Sequence, residues 1–228
     1  MQTVILIRHG YPTTWDEPAK PRGTPLHLKL DPGLAAIGSL QAQATAARLQ
    51  EIGGVEHLMS SPFRRCLETA DHIATACSVA VAPDWRLGEV LLSQVLGSPF
   101  SPGSAMYPDW EDRRAGAGKP AHPESDRTLQ ERTMKVMLEL KARKPLAQRI
   151  AIISHEIVLK QLITAMTGRS PTVNWHPCAI ATYTRATPAD RTWKLVGPLA
   201  THTHLGAHDR CEPADQVTVK YHPLDSRS

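Results

Sequence analysis

The stretch Thr3-Val4-Ile5-Leu6-Ile7-Arg8-His9-Gly10 decides how this chain is read. Four consecutive branched apolar residues leave no polar face, which marks a strand buried on both sides, and a cation, an imidazole and a glycine follow at once. The arrangement returns as Ile150-Ala151-Ile152-Ile153-Ser154-His155, again with a histidine at the carboxyl end of an apolar run and again with a helical pattern behind it. In open α/β sheets the ligand crevice lies outside the carboxyl ends of the strands. Two histidines placed this way converge there, although about 145 residues lie between them.

Outward from the first histidine, a loop rich in proline and polar residues runs over 11–32 and lines the crevice. The pattern predicts a helix over 34–52, with Gly38, Ala42, Ala46 and Leu49 at helical spacing and a stop at Gly53-Gly54. A short strand follows over 55–60. Ser61-Pro62 then reads as a helix start, serine at the N-cap and proline in the first helical position, with Phe63, Cys66, Leu67, Ala70, Ile73, Ala74 and Cys77 as its apolar stripe. Arg64 and Arg65 fall in the first turn of that helix, where free backbone amides and the positive end of the dipole favour an anion. A strand is expected at 79–81. From 92 to 125 prolines and glycines dissolve the pattern, and we read a substrate lid with one short helix near 109–113. Regularity returns with a helix over 128–144. After His155 another helix carries Leu159, Leu162, Ile163 and Met166 on one face, stopped by Gly168, and strands at 179–184 and 193–196 form a hairpin about 188–190. The expected organisation is one domain over 1–200, a lid-like insertion at about 92–125 and a C-terminal tail over 201–228.

Composition narrows the classes of function. A formal charge of +4 and a pI near 9.0 suit an anionic ligand, but the cations are dispersed and aromatic residues make up only 5%, so the basic, aromatic-studded stripe of a nucleic-acid binder is missing. No apolar run is long enough to cross a membrane, and a buried strand beginning at residue 3 leaves no room for a signal peptide, so a cytoplasmic protein is expected. Cys66, Cys77, Cys178 and Cys211 have no C-x-x-C spacing and suit reduced thiols. His202, His204, His208, Cys211 and His222 match no zinc finger or ribbon, so a metal site there is the lesser reading and the region is read as a surface tail.

The chemistry gathers on Arg8, His9, Arg65, Glu89 and His155. Guanidinium forks fit the oxygen pairs of phosphate, and a neutral imidazole is a competent nucleophile when a neighbour fixes which nitrogen is free. With two arginines and a protonated second histidine around a loose transition state, His9 attacks in line and a carboxylic acid protonates the leaving oxygen. No P-loop is present, and position 159, where a metalloprotease helix beginning His155-Glu156 needs its second histidine, is leucine.

Arg8-His9-Gly10, the segment 60–70 and Ser154-His155, in this order and setting, resemble the histidine phosphatase superfamily, also called the phosphoglycerate mutase-like clan. Asp31-Pro32-Gly33-Leu34 with Gly38 and Gln41-Ala42, and Pro123-Glu124-Ser125 before the long helix, are similar to it too, so the resemblance spans 3 to about 196. It implies a three-layer α/β/α sandwich with a mostly parallel central sheet and a covalent phosphohistidine on His9. By the same resemblance Arg8, Arg65 and His155 hold the phosphate, Tyr11 borders the substrate and Glu89 donates the proton. Asp109, Glu111, Asp112 and Glu124 in the lid region are rival donors.

The expectation is therefore a metal-independent, cofactor-free phosphatase acting on a phosphorylated small molecule or phosphoprotein; a homodimer is compatible with it. The sequence departs from the mutases: Tyr11 follows Arg-His-Gly, Thr14-Trp15 stands where they carry tryptophan-asparagine, and Glu89 is followed by Val90-Leu91-Leu92-Ser93. Glu156 after the second histidine is read as tuning His155 or facing solvent. A mutase-like phosphotransferase and a phospho-ligand binding protein without turnover are the alternatives.

Overall fold

The opening stretch forms the inner strand β1 (Gln2–Arg8), every residue of which is buried. The computed structural model describes residues 1–16, 31–90, 124–143, 148–187, 190 and 192–211. Along this chain follow α1 (Ala36–Glu51), β2 (His57–Ser60), α2 (Arg64–Cys77), β3 (Val81–Pro83), α3 (Asp126–Ala142), β4 (Arg149–Ser154), α4 (Glu156–Thr167), β5 (Ile180–Arg185) and β6 (Lys194–Thr201). The six strands make one sheet in the order β3-β2-β4-β1-β5-β6. β1, β4, β2 and β3 are parallel, whereas β5 and β6 run antiparallel on the other side of β1.

Alternation along the two inner strands builds the layers, because successive side chains leave a strand on opposite faces. Ile5, Ile7, Ala151 and Ile153 pack with Ala46 and Leu49 of α1 and Cys66, Ala70 and Ile73 of α2. Val4, Leu6, Ile150 and Ile152 pack on the other face with Val136 and Leu140 of α3 and Leu159, Leu162 and Ile163 of α4. The result is the three-layer α/β/α sandwich with a mostly parallel sheet that the two histidine strands implied. Both faces of β1 are needed for it, which is why that strand shows an unbroken apolar run rather than alternation.

The register of β1 and β4 sets Arg8 beside Ser154, so His9 and His155 leave the sheet side by side. α1 crosses directly over the chain after β1. A Cβ on Gly38 would stand 2.1 Å from the Tyr11 carbonyl oxygen, so only glycine allows that approach. The stop at Gly168 takes a left-handed conformation, φ 74°, closing α4 with its N–H on the Thr164 carbonyl.

Two local expectations fail. α2 begins at Arg64 with Phe63 in the N-cap place and no side-chain cap, rather than at Ser61-Pro62. Ser61 instead continues the strand, its N–H bonded to the Ile153 carbonyl, and its hydroxyl is occupied elsewhere. Residues 202–211 fold back on α1 with a short 3-10 helix, Thr203–His208, in which Leu205 is buried, and Gln41 donates to the His208 and Arg210 carbonyls. The short helix near 109–113 and the turn at 188–189 fall outside the described residues, as does the lid apart from Glu124 and Ser125. Among the described residues no helix is long and apolar enough to cross a membrane.

Candidate active site

Five of the residues singled out in the sequence meet at the carboxyl end of the sheet. The rings of His9 and His155 lie 5.2 Å apart, both buried. Arg65 Nη2 is 3.0 Å from Glu89 Oε2, and His155 Nδ1 is 3.1 Å from the same oxygen. Arg8, from the last position of β1, donates through Nη1 to the Trp175 carbonyl and lies 3.1 Å from Glu156 Oε2.

The hydrogen bonds separate the two imidazoles. His9 Nδ1 is 2.8 Å from the carbonyl of Gly10, an oxygen that only accepts, so Nδ1 carries the proton and Nε2 keeps its lone pair. Burial, reinforced by Arg65, His155 and Arg8, holds the His9 pKa well below the ordinary imidazole range, so the ring is neutral near pH 7. His155 Nε2 is 2.8 Å from the Ser61 hydroxyl, and with Nδ1 turned to the Glu89 carboxylate both of its nitrogens are engaged. Burial lowers the His155 pKa to about 4, only partly offset by Glu89, so the second histidine is neutral in the free pocket; the sequence reading places its protonated form around the transition state. Burial pushes Glu89 upward, but His155 and the Arg65 guanidinium outweigh it and hold the carboxyl below its ordinary range.

The arginine pair divides. Arg65 is buried and turned into the pocket, while Arg64 reaches outward to Glu68, Nε to Oε1 2.7 Å. Two amides at the start of α2 are already engaged: Asp31 Oδ1 accepts from the Arg64 N–H at 2.6 Å and the Ser61 hydroxyl from the Phe63 N–H at 3.3 Å. Asp31 is thus the anion at this helix end.

Tyr11 is fully buried, its hydroxyl donating to Asp16 at 3.0 Å and its ring edge-on to Trp15 at 4.9 Å. Trp15 also faces the site, its ring 6.3 Å from the His9 ring and 5.2 Å from the Arg8 guanidinium carbon. Glu156 pairs with Arg8 and with Lys160 Nζ at 2.5 Å, neither tuning His155 directly nor simply facing solvent. Glu124, one of the rival donors, is buried in a two-pronged pair with Arg132 at 2.6 and 2.7 Å; Asp109, Glu111 and Asp112 lie outside the described residues.

Sequence reasoning missed Ser61, Trp15 and the Trp175 carbonyl. Ser61 was visible as a serine at a strand end but was assigned to the helix cap. A backbone carbonyl carries no residue signal at all.

These strand-end residues on this sheet define the class. The family model described as the histidine phosphatase superfamily (branch 1) matches residues 4–199, and the chain belongs to that superfamily as an enzyme of the histidine phosphatase class. Among characterised relatives it is 26% identical over 173 residues, 75% of this chain and 77% of the relative, to a probable phosphoglycerate mutase GpmB of Yersinia enterocolitica. Among solved structures, a mycobacterial glucosyl-3-phosphoglycerate phosphatase complexed with VO3 superposes with a TM-score of 0.63 at 21% identity, covering 88% of this chain and 100% of that one. A phosphoserine phosphatase mutant of Entamoeba histolytica with phosphoserine gives 0.61 at 21% identity, covering 90% and 100%. The two structures share the fold.

Proposed function

We propose that this protein hydrolyses phosphate monoesters through a covalent phosphohistidine on His9, with Glu89 as the proton donor. The observation that carries the reading is the difference between the two rings: His9 is neutral and its Nε2 has no partner among the described residues, whereas His155 is anchored at both nitrogens. The nucleophile is therefore His9, and His155 with Arg65 and Arg8 supplies hydrogen bonds and positive charge to the phosphoryl oxygens.

In the free pocket Arg65 and His155 both address one oxygen of Glu89. An entering phosphoryl oxygen competes for those donors and brings negative charge beside the carboxylate. Both changes raise the proton affinity of Glu89, which takes one proton from solvent as the substrate binds and becomes the acid that the leaving oxygen requires. Nε2 of His9 then bonds to phosphorus as the ester P–O bond breaks, and the proton of Glu89 goes to the departing oxygen, giving the free alcohol. Water next attacks the phosphohistidine, losing its proton to Glu89. Phosphate leaves and His9 returns neutral.

The guanidinium groups carry the charge neutralisation in this scheme, so no step calls for a metal. The substrates named for the relatives, phosphoserine and glucosyl-3-phosphoglycerate, are small phosphate monoesters that also bear a carboxylate, and compounds of that kind head the substrate panel. The test is hydrolysis of a generic aryl phosphate with EDTA present, beside His9→Ala. Turnover that survives chelation and disappears in the variant supports the reading. A wild type that binds phosphate or vanadate but turns over neither the aryl ester nor any member of the panel makes it a binding protein instead.

A further inference from the structure

Beside the pocket, a buried ion pair holds the short turn that leads to Glu89. Glu124 precedes α3 and Arg132 lies within it. The pair is two-pronged, Nε to Oε1 at 2.6 Å and Nη2 to Oε2 at 2.7 Å, with the carboxylate wholly enclosed and the guanidinium nearly so. The remaining arm of the fork, Nη1, donates to the Arg86 carbonyl at 2.6 Å. On the reading of Glu89 as the acid, we propose that Arg132, balanced by Glu124, is a positioning residue for that acid: its third hydrogen bond fixes the turn ahead of Glu89 and so sets where the carboxyl stands relative to the leaving oxygen. In this role Glu124 is a counter-charge rather than a rival donor.

Three consecutive carbonyls ahead of Glu89 are each taken by a donor. Trp85 accepts from the Gly88 N–H at 2.9 Å, closing the 3-10 turn Trp85–Leu87; Arg86 accepts from Arg132; Leu87 accepts from the Ser154 hydroxyl at 2.7 Å. One outside anchor comes from α3 and the other from the end of β4, next to His155, so the turn cannot shift as a unit without breaking one of them. The Glu89 side chain has weaker claims on its place. Oε2 meets Arg65 and His155, and Oε1 accepts from the Val90 N–H at 3.0 Å. An entering phosphoryl group draws Arg65 and His155 away from the carboxylate, and from then on the backbone keeps the acid in position.

A buried ion pair is a costly way to fasten a helix to a turn, because packed apolar side chains of similar volume often hold as well. What they lack is a donor for a carbonyl at a fixed distance. The flat guanidinium supplies it, two arms tied to Glu124 and the third directed at Arg86. Arg86 returns the link with its own side chain, Nη2 to Glu139 of α3 at 2.6 Å, but Glu139 is partly open to solvent and that bond is the weaker tie. Arg132 is also near enough to the pocket that its charge is among those disfavouring a proton on His155.

The test compares Glu124→Leu/Arg132→Met, which exchanges both charges for apolar side chains, with the parent and with Glu89→Gln. The substrates are the best alkyl ester of the panel, whose leaving oxygen needs a proton, and nitrophenyl phosphate, whose leaving oxygen does not. The double variant is expected to lose about 10- to 30-fold in kcat on the alkyl ester and less than about twofold on the nitrophenyl ester, the pattern of Glu89→Gln at smaller size, and to add no further loss when combined with Glu89→Gln. Arg132→Lys, which keeps a charge beside Glu124 but not the flat fork, is expected to show the same selective loss at about 3- to 10-fold. Far-UV circular dichroism and urea midpoints check that each variant is folded. Equal losses on the two esters, no loss on either, or losses that multiply with Glu89→Gln overturn the proposal, since a general loosening of the fold acts on both esters alike. A Glu89→Gln variant that does not distinguish the esters, or a parent without turnover, overturns the assignment of the acid itself and the positioning role with it.

Discussion

The carboxyl ends of β1 and β4 begin from nearly the same sequence and finish as different chemical environments. Each is an apolar strand running into a histidine, and the two strands are parallel neighbours with Arg8 opposite Ser154. After β1 the chain turns away into a loop, and His9 satisfies one nitrogen on the carbonyl of its own neighbour, Gly10. After β4 the chain enters α4 directly, His155 takes the N-cap place, and its ring is enclosed by Phe63 edge-on at 5.1 Å, Ser61, Arg65 and Glu89. One motif thus yields a ring with one nitrogen open among the described residues and a ring held at both nitrogens. What separates them is the number of nitrogens the surroundings have engaged, a property of packing rather than of the tripeptide.

Substitutions at the two ends break the comparison unequally. His9→Ala removes, of the two strand-end rings, the one whose Nε2 has no partner among the described residues, and is expected to lower turnover on the order of 10^4-fold, with vanadate affinity changed only a few-fold in a binding assay. His155→Ala is expected to cost roughly 10^2- to 10^3-fold in kcat, because it removes one donor to the developing charge while leaving the nucleophile in place. Glu89→Gln sharpens the assignment of the acid: a loss of about 10^2-fold with alkyl phosphates should shrink toward parity with a nitrophenyl ester, whose leaving oxygen needs no proton. Equal losses for both esters would move the donor elsewhere. Ser61→Ala releases one nitrogen of His155 and is expected to cost only about 3- to 10-fold in kcat and roughly 1 kcal/mol in denaturant stability.

The pH behaviour follows from the same burial. In the proposed mechanism His9 attacks as the free base, and burial lowers its pKa below 6.5, so the acid limb of kcat/KM is expected below pH 6.5. Stability has the same direction. His155 and His204, both lowered to about 4 chiefly by burial, take up protons in the unfolded chain before the folded one, so stability rises with pH between 4 and 6.5 and is lost as pH falls through that window. Urea midpoints at pH 7, 6 and 5 should fall in that order, and less steeply in His155→Ala.

The fold was legible because its information is local and repeated. An apolar run without alternation means a strand covered on both faces, and the 3.6-residue stripe from Phe63 to Ile73 means a helix on one of them. The convergence of His9 with His155 and Arg65 was legible too, since strand ends in a parallel sheet, and a helix starting from one, share one edge; the placing of Glu89 there came only with the family resemblance. The partner of each group was not. Ser61 was assigned to a helix cap because serine before proline usually serves there, whereas a histidine on another strand occupies its hydroxyl. Arg64 and Arg65 are neighbours in sequence with the same charge, and only helix rotation against the sheet decides that Arg65 is buried at the pocket and Arg64 reaches Glu68. The pairing of Glu156 with Arg8 depends on strand register, and the meeting of His176 with Asp209 depends on how residues beyond β6 return over α1.

The most direct test of the central claim is to trap the intermediate. Protein mixed with excess aryl phosphate is denatured in alkali within the first turnover, digested and examined by mass spectrometry for the added phosphoryl group. The account predicts label on the peptide containing His9, stable in alkali, lost in acid, absent from His9→Ala and still present in His155→Ala. Label on His155, or full turnover with no labelled histidine at any time point, would contradict it.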